Sequence, residues 1–185
     1  MIRKMTTKQL LVESMIELMQ KKPFAKISVQ DIVDNCGVSK RTFYNYFQDK
    51  FDLISWHLTL NQERSTECTS ELLDLYKTTK NILNHLYSYR IFYQNAFSYE
   101  GQNDLRKALL DFAYSHTMNY FQLLTSDENG VSSDVDFALK FYVHGSSEII
   151  QQWVQSGMYM SVEELTEKLM QCVPCILKQY LYCED

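Results

Sequence analysis

The segment 28–50 constrains the fold more than any other part of the sequence. It begins with an N-cap serine, after which apolar residues recur at helical spacing, and this pattern predicts a short helix with one buried face. Gly37 permits the tight turn that follows. Ser39 is a second N-cap, and Phe43 and Phe47 lie four positions apart on one face of a second helix. The segment is therefore predicted to form a helix-turn-helix over about residues 28–47.

The second helix of this motif carries a polar and aromatic face that suits DNA. Its first turn contains two cations, which oppose the helix dipole unless a polyanion lies nearby. Hydroxyl, amide and aromatic groups follow, and such groups bind phosphates and base edges. An ordinary helical hairpin with a solvated face has the same pattern, so both interpretations stay open at this point. The residues expected to contact DNA are Ser28, Ser39, Lys40, Arg41, Thr42, Tyr44, Asn45 and Tyr46.

Several short motifs resemble the DNA-binding domain of the TetR family of bacterial transcriptional regulators. This resemblance implies an all-α homodimer that binds palindromic double-stranded operator DNA. It implies an N-terminal three-helix head and a C-terminal body that senses an effector. It also implies that Lys50, the first residue of a fourth helix, contacts a phosphate. The motifs are Phe24, Ser28-Val29-x-x-Ile32-Val33, Gly37-Val38-Ser39, Thr42-Phe43-Tyr44-x-Tyr46-Phe47 and Asp49-Lys50-x-x-Leu53.

The distribution of charge supports a division into a head of residues 1–57 and a body of residues 58–185. The head carries nine Lys and Arg against six Asp and Glu, whereas the body carries nine against 17. A basic head on an acidic body is typical of a protein that binds nucleic acid through one end. Only 5 Gly and 2 Pro occur in 185 residues, which favours long helices. Helices are predicted over 6–22, 79–99, 103–124, 135–155 and 161–182, besides those of the helix-turn-helix and the fourth helix.

The last two predicted helices are amphipathic, and such a pair suits a four-helix bundle between two copies of the chain. Packing within one chain uses the same periodicity, and the family resemblance favours the dimer. The segment 141–158 further resembles the C-terminal domain of a subgroup of the family in low-GC Gram-positive bacteria. That subgroup includes regulators of dihydroxyacetone-kinase operons. The residues expected at the dimer interface are Ile149, Trp153, Leu169 and Ile176.

The body is also rich in aromatic residues, which could line a ligand cavity that is apolar in bulk with a few polar tips. Two other hypotheses are a regulator controlled by a protein partner docked on the body and a regulator controlled by a metal ion bound to histidines. The residues expected to bind a small effector are Tyr87, Tyr93, Phe97, His116, Tyr120, Phe141 and His144.

Other functional classes find little support in the sequence. It contains neither a glycine-rich phosphate loop nor a nucleophile elbow, so neither an enzyme nor a cofactor is predicted. The histidines and cysteines lack the close spacing of a strong metal motif, so no metal site is assigned. The pair Cys172 and Cys175 is expected to pack inside the last helix. With no long apolar run and no signal-peptide core, the protein is expected to be cytoplasmic and to bind no membrane.

Overall fold

The computed structural model describes residues 5–65, 75–99, 105–125 and 131–181, with the backbone alone at some helix positions. All regular secondary structure in these ranges is helical, which confirms the all-α fold class. A 3-10 turn, Phe24–Lys26, lies between the first two α-helices. The α-helices are α1 (Thr7–Met19), α2 (Val29–Cys36), α3 (Lys40–Tyr44), α4 (Lys50–Ser65), α5 (Leu75–Ser88), α6 (Arg90–Phe97), α7 (Leu105–Thr125), α8 (Ser133–Gln155), α9 (Val162–Gln171) and α10 (Cys175–Leu181).

The N-terminal helices form the predicted head around a buried apolar centre. Thr6 and Gln9 make a capping box that starts α1, so the backbone N–H groups of both residues are satisfied at this helix end. Leu11 and Met15 of α1 pack with Ile32 of α2 and are fully buried. These contacts fix α1 across the helix-turn-helix.

The hydrophobic core does not stop at the boundary predicted at residue 57. One cluster of buried side chains joins Met15 and Phe43 of the head to Phe97 of α6, Trp153 of α8 and Leu165 of α9. Helix α4 runs through the boundary without a break. A second cluster lies between α7, α8 and α10. The described parts of head and body therefore share a continuous core.

Two helices that the sequence predicts as single elements are each divided. The predicted helix 79–99 breaks at Tyr89, which has φ −110° and ψ 32°. Neither glycine nor proline occurs at this break to indicate it in the sequence. The predicted helix 161–182 breaks before Pro174, which has no N–H to continue the helical hydrogen bonds. Cys172 and Cys175 flank this break and are exposed, so the prediction that they pack inside a helix is wrong.

Helix ends agree better with the sequence patterns. Ser132 and Ser161 cap α8 and α9 by accepting hydrogen bonds from backbone N–H groups, as N-cap serines do. Helix α1 ends at Met19, three residues before the predicted end at 22. Among the helices described, none combines the length and the apolar character that crossing a membrane would need.

Candidate nucleic-acid interface

The start of α2 is fixed by a capping box between Ser28 and Asp31. The N–H and the hydroxyl of Ser28 each donate to Asp31 Oδ2 at 2.7 Å, and Ser28 Oγ accepts from the Asp31 N–H at 3.2 Å. Lys22 Nζ lies 2.9 Å from Asp31 Oδ1. The hydrogen bonds from Ser28, and then from Lys22, hold the pKa of Asp31 well below its usual range. The first helix of the motif is therefore held in place from both sides.

The turn of the motif depends on Gly37. Its φ of 72° and ψ of 26° place it in the left-handed region, which side chains with a Cβ disfavour. The N–H of Gly37 and that of Val38 both donate to the carbonyl of Val33, which closes the end of α2. The chain can then reverse direction within three residues and begin α3.

Helix α3 is short and presents one side to solvent. Ser39 caps it by accepting a hydrogen bond from the N–H of Thr42 at 3.1 Å. Phe43 and Phe47 are buried beneath it, at 0% and 2% exposure, as predicted. Thr42 is half-buried, and its hydroxyl lies 2.9 Å from that of Ser39. The outward side chains, called the recognition face below, are Lys40, Arg41, Tyr44, Asn45 and Tyr46.

The ammonium group of Lys50 lies inside the head. Its Nζ donates to the carbonyl oxygens of Ile27 at 2.8 Å, Phe24 at 2.9 Å and Ala25 at 3.4 Å. It also lies 4.3 Å from the centroid of the Phe24 ring, and desolvation lowers its pKa. An ammonium has three N–H donors, so a phosphate contact would replace one of these bonds. In this geometry Lys50 stabilises the turn between α1 and α2, and the predicted phosphate contact stays a prediction.

The residues predicted to line an effector cavity do not lie together. Tyr93 and Phe97 are buried at 0% and 4% exposure, whereas Tyr87 and Phe141 are 47% and 72% exposed. His144 is also exposed. The prediction of one cavity lined by these residues is wrong, because α8 turns Leu139 and Val143 inward and Phe141 outward. The side chains of His116 and Tyr120 lie outside the described residues.

The predicted dimer residues also divide into two groups. Trp153 and Leu169 are buried within the protomer at 2% and 5% exposure, and the Trp153 indole donates to the carbonyl of Met160 at 2.9 Å. Ile176 is half-buried against the cluster between α8 and α10. Trp153 and Leu169 pack within one chain, so their assignment to a dimer interface is wrong, whereas the assignment of Ile176 stays a prediction. Ile149 is 49% exposed and is available to a partner.

The outward side of α8 is apolar. Phe137 and Phe141 are each 72% exposed, and Ile149 follows two turns beyond Phe141. Gly145 lies between them in the i+4 series, and apart from its chain neighbours and its own helix backbone no described heavy atom lies within 4 Å of the position that a Cβ would occupy. We call Phe137, Phe141, Gly145 and Ile149 the α8 outer face. Phe137 was not assigned to any site from the sequence, because helical spacing does not show whether an apolar side chain is buried or exposed.

A buried group of histidine and tyrosine side chains lies where α4 meets α5 and α6. His85 Nε2 is 2.6 Å from the Tyr93 hydroxyl, and the His57 and His85 ring centroids are 4.9 Å apart. His57 Nε2 is buried without a hydrogen-bond partner among the described residues. Burial, and then the proximity of His85, lowers the pKa of His57 to about 3, and burial lowers the pKa of His85 to about 4. Both imidazoles are therefore neutral at neutral pH.

This group bears on the metal hypothesis, which needed the fold to gather the histidines. It brings His57 and His85 together, but no group of three or more metal-ligating side chains occurs among the described residues. Two imidazoles alone make fewer protein ligands than a structural or catalytic zinc site has. The histidines thus provide no argument for metal control.

Two family models match the chain, and together they span the head and most of the body. The model described as "Bacterial regulatory proteins, tetR family" matches residues 11–55, and the model described as "Transcriptional regulator C-terminal region" matches residues 74–174. The chain belongs to the TetR family of bacterial transcriptional regulators. The members of these families and the relatives below are transcriptional regulators, not enzymes.

The relatives agree with the subgroup indicated by the sequence. The chain is 30% identical over 100 residues to the HTH-type dhaKLM operon transcriptional activator DhaS of Lactococcus lactis subsp. lactis (strain IL1403). That match covers 52% of each protein, so the chain spans about half the length of this curated relative. The solved structure of "Dihydroxyacetone kinase operon activator DhaS" is 22% identical, with a TM-score of 0.64 over 95% of this chain and 98% of that chain.

A TetR transcriptional regulator from Rhodococcus sp. RHA1 has the same fold at lower identity. It is 15% identical, with a TM-score of 0.59 over 94% of this chain and 97% of that chain. At this level of identity the likeness to solved structures concerns the fold alone. The TetR-family regulator described here thus shares its architecture with proteins of quite different sequence.

Proposed function

We propose that this TetR-family regulator binds two-fold symmetric operator DNA as a homodimer, with α3 of each head in a major groove. The recognition face carries the proposal, because it exposes two cations, two phenols and an amide on a helix whose other side is anchored by Phe43 and Phe47. Cations in the first turn of α3 oppose the helix dipole, and a phosphate nearby would compensate both. The phenols and the amide can then bind phosphates or base edges.

The α8 outer face supports the homodimer. Phe137 and Phe141 lose little of their surface within the protomer, and contiguous exposed apolar residues mark association sites. The open space above Gly145 lets a second helix approach closely. Two copies of α8 packed by this face would begin a helical bundle between protomers.

We propose that the body is controlled by a docked protein rather than by a small molecule bound to the predicted aromatic set. The exposure of Tyr87, Phe141 and His144 removes the argument for a cavity lined by those residues. Tyr87 of α5 and Ile91 of α6, which are 47% and 55% exposed, provide apolar surface for such a partner apart from the α8 outer face. Sedimentation of the isolated chain tests whether the homodimer forms without a partner.

The DNA-binding proposal is tested by selecting duplexes from a random pool with the full chain. The selected sites should be palindromic, and Arg41→Ala should weaken binding to them and reduce the salt dependence of log K by about one unit. Tyr44→Phe should cost about 1–3 kcal/mol if its hydroxyl reads a base. Lys168→Ala, which removes an exposed cation from α9, is the matched control and should bind as the wild type does. Unchanged binding and salt dependence in both head variants would contradict the proposal.

A further inference from the structure

The amide of Asn95, a half-buried residue of α6, bridges the junction between head and body. Its Oδ1 accepts from the N–H of Phe24 at 2.8 Å, and its Nδ2 donates to the carbonyl oxygens of Met19 at 3.0 Å and Lys22 at 3.2 Å. A side-chain amide has two N–H donors, and both are used here. One residue of the body therefore holds three backbone groups of the head.

These three backbone groups lie where the head has few partners of its own. The last carbonyl groups of a helix have no intrahelical donor, and α1 ends at Met19. Pro23, between Lys22 and Phe24, has no N–H to offer them. Asn95 supplies the missing donors to the end of α1 and an acceptor to the first residue of the 3-10 turn.

The 3-10 turn leads directly into the helix-turn-helix, so its position affects the recognition face. Lys50 holds the carbonyls of Phe24 and Ile27 from the side of α4. The ring of Tyr99, just beyond α6, packs edge-on against Phe24 with centroids 5.6 Å apart. The turn is thus held from within the head by Lys50 and from the body by Asn95 and Tyr99.

Helix α6 is itself fixed to α8 on the side of the body. Gln94 Nε2 donates to the carbonyl of Val154 at 3.1 Å, and Gln155 Nε2 donates to the carbonyl of Phe97 at 3.0 Å. Neighbouring residues of α6 therefore bind opposite parts of the protein, Gln94 the end of α8 and Asn95 the end of α1. A path of hydrogen-bonded elements runs from the helix that bears the α8 outer face to the turn before α2.

We infer that Asn95 is a positioning residue that fixes the orientation of the DNA-binding head relative to the α8 outer face. In a dimer formed through that face, the orientation of each head sets the distance between the two recognition helices. Half-sites must lie about one helical turn of DNA apart, or a multiple of it. Asn95 thereby sets the half-site spacing that the regulator accepts, an inference that rests on the proposed operator binding.

The test compares Asn95→Ala and Asn95→Asp with Asn84→Ala on DNA sites selected by the wild-type chain. Each variant is titrated with the intact site, with a single half-site, and with intact sites carrying one or two extra central base pairs. Asn95→Asp nearly preserves the size of the side chain but replaces the N–H donor that faces the carbonyls of Met19 and Lys22 with an acceptor. Asn84→Ala is the matched control, because it removes an exposed amide from α5, a helix outside the path from α8 to the turn.

For the wild type and Asn84→Ala, inserted base pairs should lower affinity steeply. For both Asn95 variants, affinity for the intact site should fall by about tenfold while affinity for the single half-site stays unchanged, since up to three hydrogen bonds are lost. The penalty for the inserted base pairs should shrink in the same variants. An equal loss on intact and single sites, or an unchanged insertion penalty, would overturn the inference.

Amide hydrogen exchange of the free protein tests the bridge without DNA. The Phe24 N–H should exchange about tenfold faster in Asn95→Ala and at an unchanged rate in Asn84→Ala, because only the first removes its acceptor. An unchanged Phe24 rate in Asn95→Ala would overturn the inference. A wild-type chain that selects no DNA sequence would refute the proposed function. The exchange rate of the Phe24 N–H would then still test whether Asn95 joins head and body.

Discussion

Replacing His57 with phenylalanine should stabilise the protein at neutral pH and reduce its sensitivity to acid. His57 is 8% exposed, and its Nε2 has no hydrogen-bond partner among the described residues. A buried polar group without a partner costs about 1–3 kcal/mol. Its ring lies edge-on to Tyr89 and Phe92, with centroids 4.9 and 5.4 Å away, so a phenyl ring can keep these contacts. We expect the free energy of unfolding to rise by about 1–2 kcal/mol at neutral pH.

The acid sensitivity follows from the direction of the pKa changes. Burial lowers the pKa of His57 to about 3 and that of His85 to about 4, from 6.5. Because the pKa of each histidine is lower in the folded protein than in the unfolded chain, the free energy of unfolding is highest above pH 6.5 and decreases as the pH falls. Below that value the unfolded chain binds one more proton per histidine. Each histidine then lowers stability by about 2 kcal/mol between about pH 7 and about pH 5.

Urea unfolding at about pH 7 and about pH 5, at one protein concentration, measures the effect. The wild type should lose about 2 kcal/mol more than His57→Phe over this interval, since the variant keeps only His85 of the pair. Phe92→Leu is the control: it disturbs the same packing without removing a titrating group, so its loss should match that of the wild type. If His57→Phe loses as much stability on acidification as the wild type does, the inference that His57 is buried in its neutral form is refuted.

Four further substitutions, one of them with a matched control, separate surface roles from structural roles. Phe141→Glu should yield folded monomers by sedimentation velocity with unchanged helical circular dichroism, because this ring is 72% exposed in the protomer; persistent dimers would exclude the α8 outer face. Leu169→Glu should instead unfold the protomer, since it buries a charge at a residue only 5% exposed. Lys50→Met should lower the unfolding free energy by about 1–3 kcal/mol by leaving carbonyls of the turn unpaired, whereas Lys40→Met should change it by less than about 0.5 kcal/mol. Gly37→Ala should lower the free energy of unfolding by about 1 kcal/mol, because alanine disfavours the left-handed backbone at this position. Its melting temperature should therefore fall less than that of Lys50→Met.

The head could be predicted from the sequence because its signals are local. The capping box of Ser28 and Asp31, the glycine turn and the spacing of Phe43 and Phe47 each depend on residues at most four apart. Local rules decide such features, and they agree with one another here. The exception is Lys50, whose ammonium is bound by carbonyls 23 to 26 residues earlier in the chain.

The body was predicted less well because helical periodicity identifies an apolar face without identifying its partner. Trp153 and Leu169 have the spacing of an interface, yet their partners lie in the same chain. Phe141 has the spacing of a core residue, yet it is exposed. The break at Tyr89 also lacks any sequence signal, since the residue has no backbone restriction of its own. Such features depend on tertiary packing, which a single sequence does not specify.

The continuous core has a consequence for how this regulator unfolds. Because Met15 and Phe43 belong to the same apolar cluster as Phe97, Trp153 and Leu165, the head cannot lose its packing without exposing apolar surface of the body. Head and body should therefore open as one cooperative unit rather than as two foldons. The rigidity of the five-residue helix α3 is in this sense supplied by side chains more than 100 positions further along the chain.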